Sequence, residues 1–358
     1  RSCEGRPSGG RRAAGAPDPG LAGGERCQRC RSESASSAAH ADGTGRRGAG
    51  GDVPAIAEVA PRHGVPLIVD EAWGSHFGVH PALPVNAIRL GADLVVSSTQ
   101  KGSGSLAQTA MLHLGTGPAA AELESLVDRV VRSYQSTSCS PILLASLDVA
   151  RQHLAMNGRT VISETLETVR RLGEGIDSLE GFRNASRDAM AFPDVVAVDP
   201  LKVAIDTSAA GITGTSAHNI LLRDHRIYCE LSTDSALLLM IGSISPVTVD
   251  RFISALEALP RETAAGAMTP LTLPGPCERS MGLDEAFYSE VEVVPFAEAL
   301  GRVSADSLAA YPPGVPNVLP GETLSQEVIE FLRATAAAPS GYVRGATDAG
   351  LDSFRVVK

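Results

Sequence analysis

Two short apolar runs constrain this chain more than any other feature. Val65-Pro66-Leu67-Ile68-Val69 is continuously apolar and ends at Asp70. Leu94-Val95-Val96, opened by Asp93 and closed by Ser97, runs into Ser98-Thr99-Gln100-Lys101. Runs this short and without alternation read as parallel strands buried on both faces. Each follows a helical signal. Asp52 is placed to cap a helix over about 52–63, with Ile56, Val59 and Ala60 on one face and Gly64 as its stop. A second helix-like stretch covers about 84–90 and is closed by Gly91. Helix, strand, helix, strand predicts an α/β fold around a mostly parallel sheet.

The two strands end in complementary chemistry. Asp70 and Lys101 lie just past the C-terminal ends of two strands, the rim at which open α/β sheets bind ligands. A lysine there can carry pyridoxal phosphate covalently. A nearby carboxylate can keep the pyridine nitrogen protonated, so that the ring acts as an electron sink. Ser98 and Thr99 offer hydroxyls to a phosphate. The plainer reading makes Asp70 and Lys101 solvated strand-end charges, and spacing alone does not decide between the two.

The first fifty residues are a different material. They hold nine Arg, no Lys, eleven Gly and one large aliphatic, Leu21. Such a stretch cannot bury a core of its own. Arg, Gly, Ala, Ser and Pro make up 38 of these 50 residues, the look of GC-rich DNA read out of frame, and periodic sequence begins abruptly at Gly51-Asp52. Residues 1–51 are therefore expected to be low-complexity, disordered or out-of-frame. Cys27 and Cys30 form one C-x-x-C, with Cys3 and His40 as further candidate ligands. Structural zinc needs four fixed ligands, so disordered thiols are the preferred reading and no metal is expected. The segment is basic but lacks the lysines and aromatic interleaving of a nucleic-acid arm. The rest of the chain carries a charge of −14 within a total of −10, which argues against a nucleic-acid partner. No stretch approaches the roughly 18 apolar residues of a spanning helix, and no apolar leader is visible. A soluble, cytoplasmic protein without a membrane partner is expected.

The wording around the strands narrows the reading. Asp70-Glu71-Ala72-Trp73-Gly74-Ser75-His76-Phe77 is followed by His80-Pro81-Ala82-Leu83-Pro84, Gly91-Ala92-Asp93, Ser98-Thr99-Gln100-Lys101 and Gln108-Thr109-Ala110-Met111-Leu112-His113. In order and spacing, these five blocks resemble the bacterial Orn/Lys/Arg decarboxylase family, fold-type I pyridoxal-phosphate enzymes related in fold to aspartate aminotransferase. Gln135-Ser136-Thr137-Ser138-Cys139-Ser140, Asp199-Pro200-Leu201-Lys202 and Tyr311-Pro312-Pro313-Gly314-Val315-Pro316 extend the resemblance, which runs from about residue 52 to the end. It implies a fold-type I large domain over 52–194, truncated at its N-terminus relative to the family. A smaller α/β subdomain over 195–260 follows, then a linker over 261–282 rich in Pro, Gly and Thr, and a small C-terminal α/β domain over 283–358. A sheet lacking its first strands should expose an unpaired edge and apolar surface.

By this resemblance the cofactor is pyridoxal 5′-phosphate. Lys101 holds it and serves as acid or base near Cα, and Asp70 partners the pyridinium. Strand alternation would put Ala72 on Asp70's side, where a small side chain lets the ring lie flat. Trp73, the only tryptophan, would donate its indole N–H to the cofactor's 3′-oxygen, and Ser98 would contact the phosphate. Gln100 stands where the family usually has histidine, and an amide donates hydrogen bonds without carrying charge. His76 is read as packed under the rim in preference to touching substrate. Thr137 and Ser138 are either a helix cap or phosphate contacts across a dimer interface, and Glu230 is a strand-end acid or a substrate contact. Cys139, Cys229 and Cys277 read as small buried or neutral residues. The implied activity is decarboxylation of lysine, ornithine or arginine to the amine and carbon dioxide, by a homodimer or larger oligomer. An inactive remnant or oligomerisation module, and an aminotransferase or aldolase on the same fold, are the alternatives.

Overall fold

The structure, a computed structural model, describes residues 39–42, 48–242, 248–261, 273–311, 314–338 and 341–358. They belong to one compact unit, Ser37–Lys358. The expectations for Cys3, Cys27 and Cys30, most of 1–51 and half of the 261–282 linker lie outside the described residues.

Strand pairing begins earlier than the seam at Gly51 suggests. β1 (Ala39–Asp42) lies within the segment expected to lack structure, and so does β2 (Ala49–Gly50). Pairing draws on backbone donors and acceptors, so small residues can supply it where they could not build a core. Then comes α1 (Val53–Val59), capped as expected: the Asp52 carboxylate accepts the Ala55 N–H at 3.0 Å. A 3₁₀ turn over Ala60–His63 extends the helix and stops at Gly64, whose φ of +66° suits glycine.

β3 (Leu67–Asp70) and β4 (Leu94–Ser97) pair in parallel, with Asp70 opposite Val96. β1 pairs in parallel with β3 on the other side. Residues 84–90, expected as a helix, are turns instead. The Glu71 carboxylate takes the Ala87 N–H and the Asn86 side chain takes that of Ile88, so side chains compete for the donors a helix would use. After α2 (Thr99–Gly102), β5 (Met111–Leu114) returns antiparallel to β4, giving the order β1-β3-β4-β5. One face of this sheet is sealed: Leu67, Val69 and Val95 pack with Val53, Ala60, Ala87 and Ala92. The other is more open, with Val96 37% and Leu112 43% exposed, so burial on both faces is not what the runs achieve. Among the described residues β5 has no second partner strand.

α3 (Pro118–Tyr134) leads to α4 (Pro141–Asp177), 37 residues long and therefore about 56 Å. α4 joins two cores. Ile162 packs with Leu83, which precedes β4, and with Leu201, whereas Leu172 and Ile176 enter the second core. That core covers an antiparallel sheet. β6 (Arg183–Asn184), β8 (Lys202–Asp206), β10 (Ala236–Met240) and β9 (Leu231–Ser232) are ordered β6-β8-β10-β9, and β7 (Ala197–Val198) pairs with β2. Val203, Ile205, Leu237 and Leu239 pack there with α5 (Gly214–His225) and α6 (Val249–Glu257).

The C-terminal region has a core of its own. It contains α7 (Leu283–Tyr288), β11 (Val291–Pro295), α8 (Phe296–Ala299), β12 (Leu308–Tyr311), β13 (Pro316–Val318), α9 (Gln326–Ala337), β14 (Tyr342–Arg344) and β15 (Ser353–Val357). Leu324, Val328 and Leu332 pack there with Phe354 and Val356. No helix among the described residues is long and apolar enough to cross a membrane.

Gly181, between α4 and β6, tests the second core. Its φ is +81°, and a Cβ there would stand 2.6 Å from the Ala210 Cα. Gly181→Ala combines left-handed strain with a backbone clash and should cost at least about 2 kcal/mol, read by chemical denaturation. An unchanged midpoint would contradict this packing.

Candidate active site

The chain turns immediately after β3. The Asp70 carboxylate accepts the Ala72 N–H at 2.9 Å, forming an Asx-type turn. Ala72 is therefore not one strand step beyond Asp70, and the alternation argument for it is corrected. The next backbone N–H, of Glu71, donates to the Val96 carbonyl at 2.8 Å and ties the ends of β3 and β4 together. Asp70 itself is exposed.

Glu71 is the residue the sequence reading passed over. Its side chain is buried and accepts from the Asn86 amide at 2.5 Å and the Ala87 N–H at 2.9 Å. Burial pushes its carboxyl up to about 7. Its only signal was an acid placed directly behind the strand-end aspartate.

Lys101 sits on α2, where its N–H donates to the Ser98 carbonyl at 3.0 Å. Its ammonium lies over the Trp73 indole, 4.6 Å from the ring centroid. The structure thus brings Lys101 and Trp73 together. Ser98 and Thr99 are buried, and the Thr99 hydroxyl has no hydrogen-bond partner. Gln100 is exposed, and its side-chain oxygen accepts the N–H of Gln108, which has a φ of +73°.

Beneath the rim lies a polar cluster. His76 is fully buried, as expected, and its Nε2 is 3.0 Å from Asp199 Oδ2. Lys202 Nζ is 4.0 Å from the same oxygen and 5.2 Å from the Trp73 ring centroid. Asp199 and Lys202 were read only as the start of a subdomain; a spacing of three before a strand was the signal. Thr137 and Ser138 are exposed and do not cap α4, whose cap is Ser140. Of the cysteines read as small buried or neutral residues, Cys139 is exposed, whereas Cys229 is buried and its thiol is pushed up to about 12 by desolvation. A recess of about 480 Å³ lined by Phe77, Asn86, Arg89, Ser97 and His113 contains neither Asp70 nor Lys101. Burial lowers His113, which bonds Ser97 at 2.8 Å.

An amine against an indole, a carboxylate at the neighbouring strand end and a buried hydroxyl without a partner are group types that suit pyridoxal phosphate. The family profile "Orn/Lys/Arg decarboxylase, major domain" matches residues 44–246, and that of the C-terminal domain matches 278–342. The chain belongs to the Orn/Lys/Arg decarboxylase family. An arginine decarboxylase of Bacillus subtilis is 32% identical over 318 residues, covering 87% of this chain and 64% of the relative. One from Halalkalibacterium halodurans is 33% identical over 318 residues, 85% and 62% of the two chains. This family member thus spans a little under two thirds of the length of those relatives. Lysine decarboxylase A from Pseudomonas aeruginosa superposes with a TM-score of 0.69 at 21% identity, over 90% of this chain and 58% of that one. For the Francisella novicida lysine decarboxylase the values are 0.67 and 17%, over 90% and 57%. The fold is that of the fold-type I decarboxylases.

Glu71 generates a pH prediction. Its carboxyl titrates near 7 in the fold against 4.5 ordinarily, so the folded chain holds this proton more tightly than the unfolded chain. The resulting stabilisation is complete below about 4.5 and is lost as pH rises to about 7, on the order of 3 kcal/mol in all. The denaturation midpoint of the wild type should therefore fall more steeply between pH 5 and 7.5 than that of Glu71→Gln. Parallel profiles would contradict the assignment.

Proposed function

We propose that the protein decarboxylates a basic amino acid with pyridoxal 5′-phosphate as cofactor. The observation that carries the reading is the meeting of Lys101 and Trp73 at the rim where Asp70 ends the neighbouring strand. Lys101 would hold the cofactor and carry a proton to and from Nζ beside the reacting carbon. Asp70 would face the pyridine nitrogen as its anionic partner. Ala72 would leave room for the ring, and the Trp73 indole N–H would donate to the 3′-oxygen. Ser98, with the unpartnered Thr99 hydroxyl, would donate to the phosphate, and Gln100 would supply a neutral donor in place of a charged one. When bound, the cofactor supplies an electron-accepting ring for the electron pair released as the Cα–carboxylate bond breaks. Arginine is the first substrate to test, because the relatives at 32–33% identity are named arginine decarboxylases; lysine and ornithine follow. We infer a cytoplasmic homodimer or larger oligomer as the working form.

The test is a pyridoxal-phosphate titration of the purified protein, followed by amine release from arginine, lysine and ornithine. The wild type should develop a saturable visible band that Lys101→Ala lacks. Asp70→Asn should keep the band and lose at least about a hundredfold in turnover. A band without amine release would favour an aminotransferase or aldolase, and no band would favour a family member without turnover.

A further inference from the structure

Only three of the 31 basic residues are lysines, and two of these meet at one indole. The proposed function uses Lys101 and Trp73 and leaves Lys202 without a task. Lys202 is not ordinary packing material. It is 2% exposed, and burying an ammonium is costly unless the charge is matched. Asp199 matches it from 4.0 Å and is itself fully buried.

Asp199 is held firmly. Its Oδ1 accepts the Leu201 N–H at 3.1 Å, and its own N–H donates to the Gly48 carbonyl at 2.8 Å. Its Oδ2 serves Lys202 and His76 together. Both lead to the site. The Lys202 ammonium reaches the Trp73 ring. The His76 ring lies against Gly102, the residue after Lys101, where a Cβ would stand 2.7 Å from His76 Nδ1. Space around the Lys202 stem is equally tight, since a Cβ on Gly48 would come within 2.9 Å of its Cδ.

We propose that Lys202, held by Asp199, is a positioning residue for the cofactor site: its ammonium fixes the Trp73 indole while His76, on the same carboxylate oxygen, supports the peptide after Lys101. The inference rests on the proposed function for its purpose, but not for its geometry. A desolvated ammonium over an indole is among the stronger cation–π arrangements. Methionine would fill the same volume without the charge.

Trp73 is the only tryptophan, so its fluorescence reads the ring with or without cofactor. In Lys202→Met without cofactor, the emission should shift to longer wavelength and acrylamide quenching should rise about twofold. The dissociation constant for pyridoxal phosphate should rise about tenfold, with the Lys101 band still forming. Lys202→Arg, which restores a cation, should return emission and quenching toward wild type. If Lys202→Met lowers only the melting temperature, leaving emission, quenching and cofactor affinity unchanged, Lys202 is a packing residue and the proposal is overturned. Should Lys202→Met not fold, Asp199→Asn with Lys202→Met removes both buried charges and is read the same way. Failure of both to fold also overturns the proposal, because the pair is then a folding element. If the wild type binds no pyridoxal phosphate, the proposed function fails, and the cofactor-free fluorescence still decides whether Lys202 holds Trp73.

Discussion

The parallel pairing of Leu67–Asp70 with Leu94–Ser97 is the constraint on which the rest depends. Parallel strands deliver their C-terminal ends to one rim, and the Glu71 N–H to Val96 carbonyl bond closes the ladder at that rim. Asp70 leaves one strand there, and the helix carrying Lys101 leaves the other. The proposed chemistry depends on these two exits lying side by side.

The rim is supported from below by polar groups, which is costly and therefore informative. Glu71, His76, Asp199 and Lys202 are all buried, where each polar atom needs a partner or loses its hydration for nothing. They bind the turn after β3 to the loop before β4 and to the segment that opens the second sheet. α4 performs the same joining with apolar contacts, touching Leu83 and Leu201 through Ile162 before entering the second core. The proposed site thus lies beside the contacts that tie the turn after β3 to the segment opening the second sheet.

Much of this was legible in the chain. The parallel strands β3 and β4, the Asp52 cap and the Gly64 stop each rest on local chemistry and appear as read, although the strands are not buried on both faces. The positions of Asp70 at the end of β3 and of Lys101 just after β4 followed because strand ends are predictable once strands are. What was not legible depended on side chains capturing backbone donors or on distant partners. Residues 84–90 had helical periodicity, but Glu71 captured a donor that the helix needed. Ala72 was assigned by strand alternation, but the Asp70 carboxylate turned the chain one residue earlier. β1, with the sequence Ala-His-Ala-Asp, carried no hydrophobic run that would mark it as a strand. Lys202 reaches Trp73 across more than a hundred residues of chain, and no spacing rule could join them.

We propose that these strand ends make Lys101 the cofactor lysine. The most direct measurement is borohydride reduction of the protein with pyridoxal phosphate, then peptide mapping of the labelled lysine. Lys101, Lys202 and Lys358 are the only lysines, so the map has few outcomes. Label confined to the peptide containing Lys101 is the predicted result. Label on Lys202 or Lys358, or on no lysine, would contradict the account.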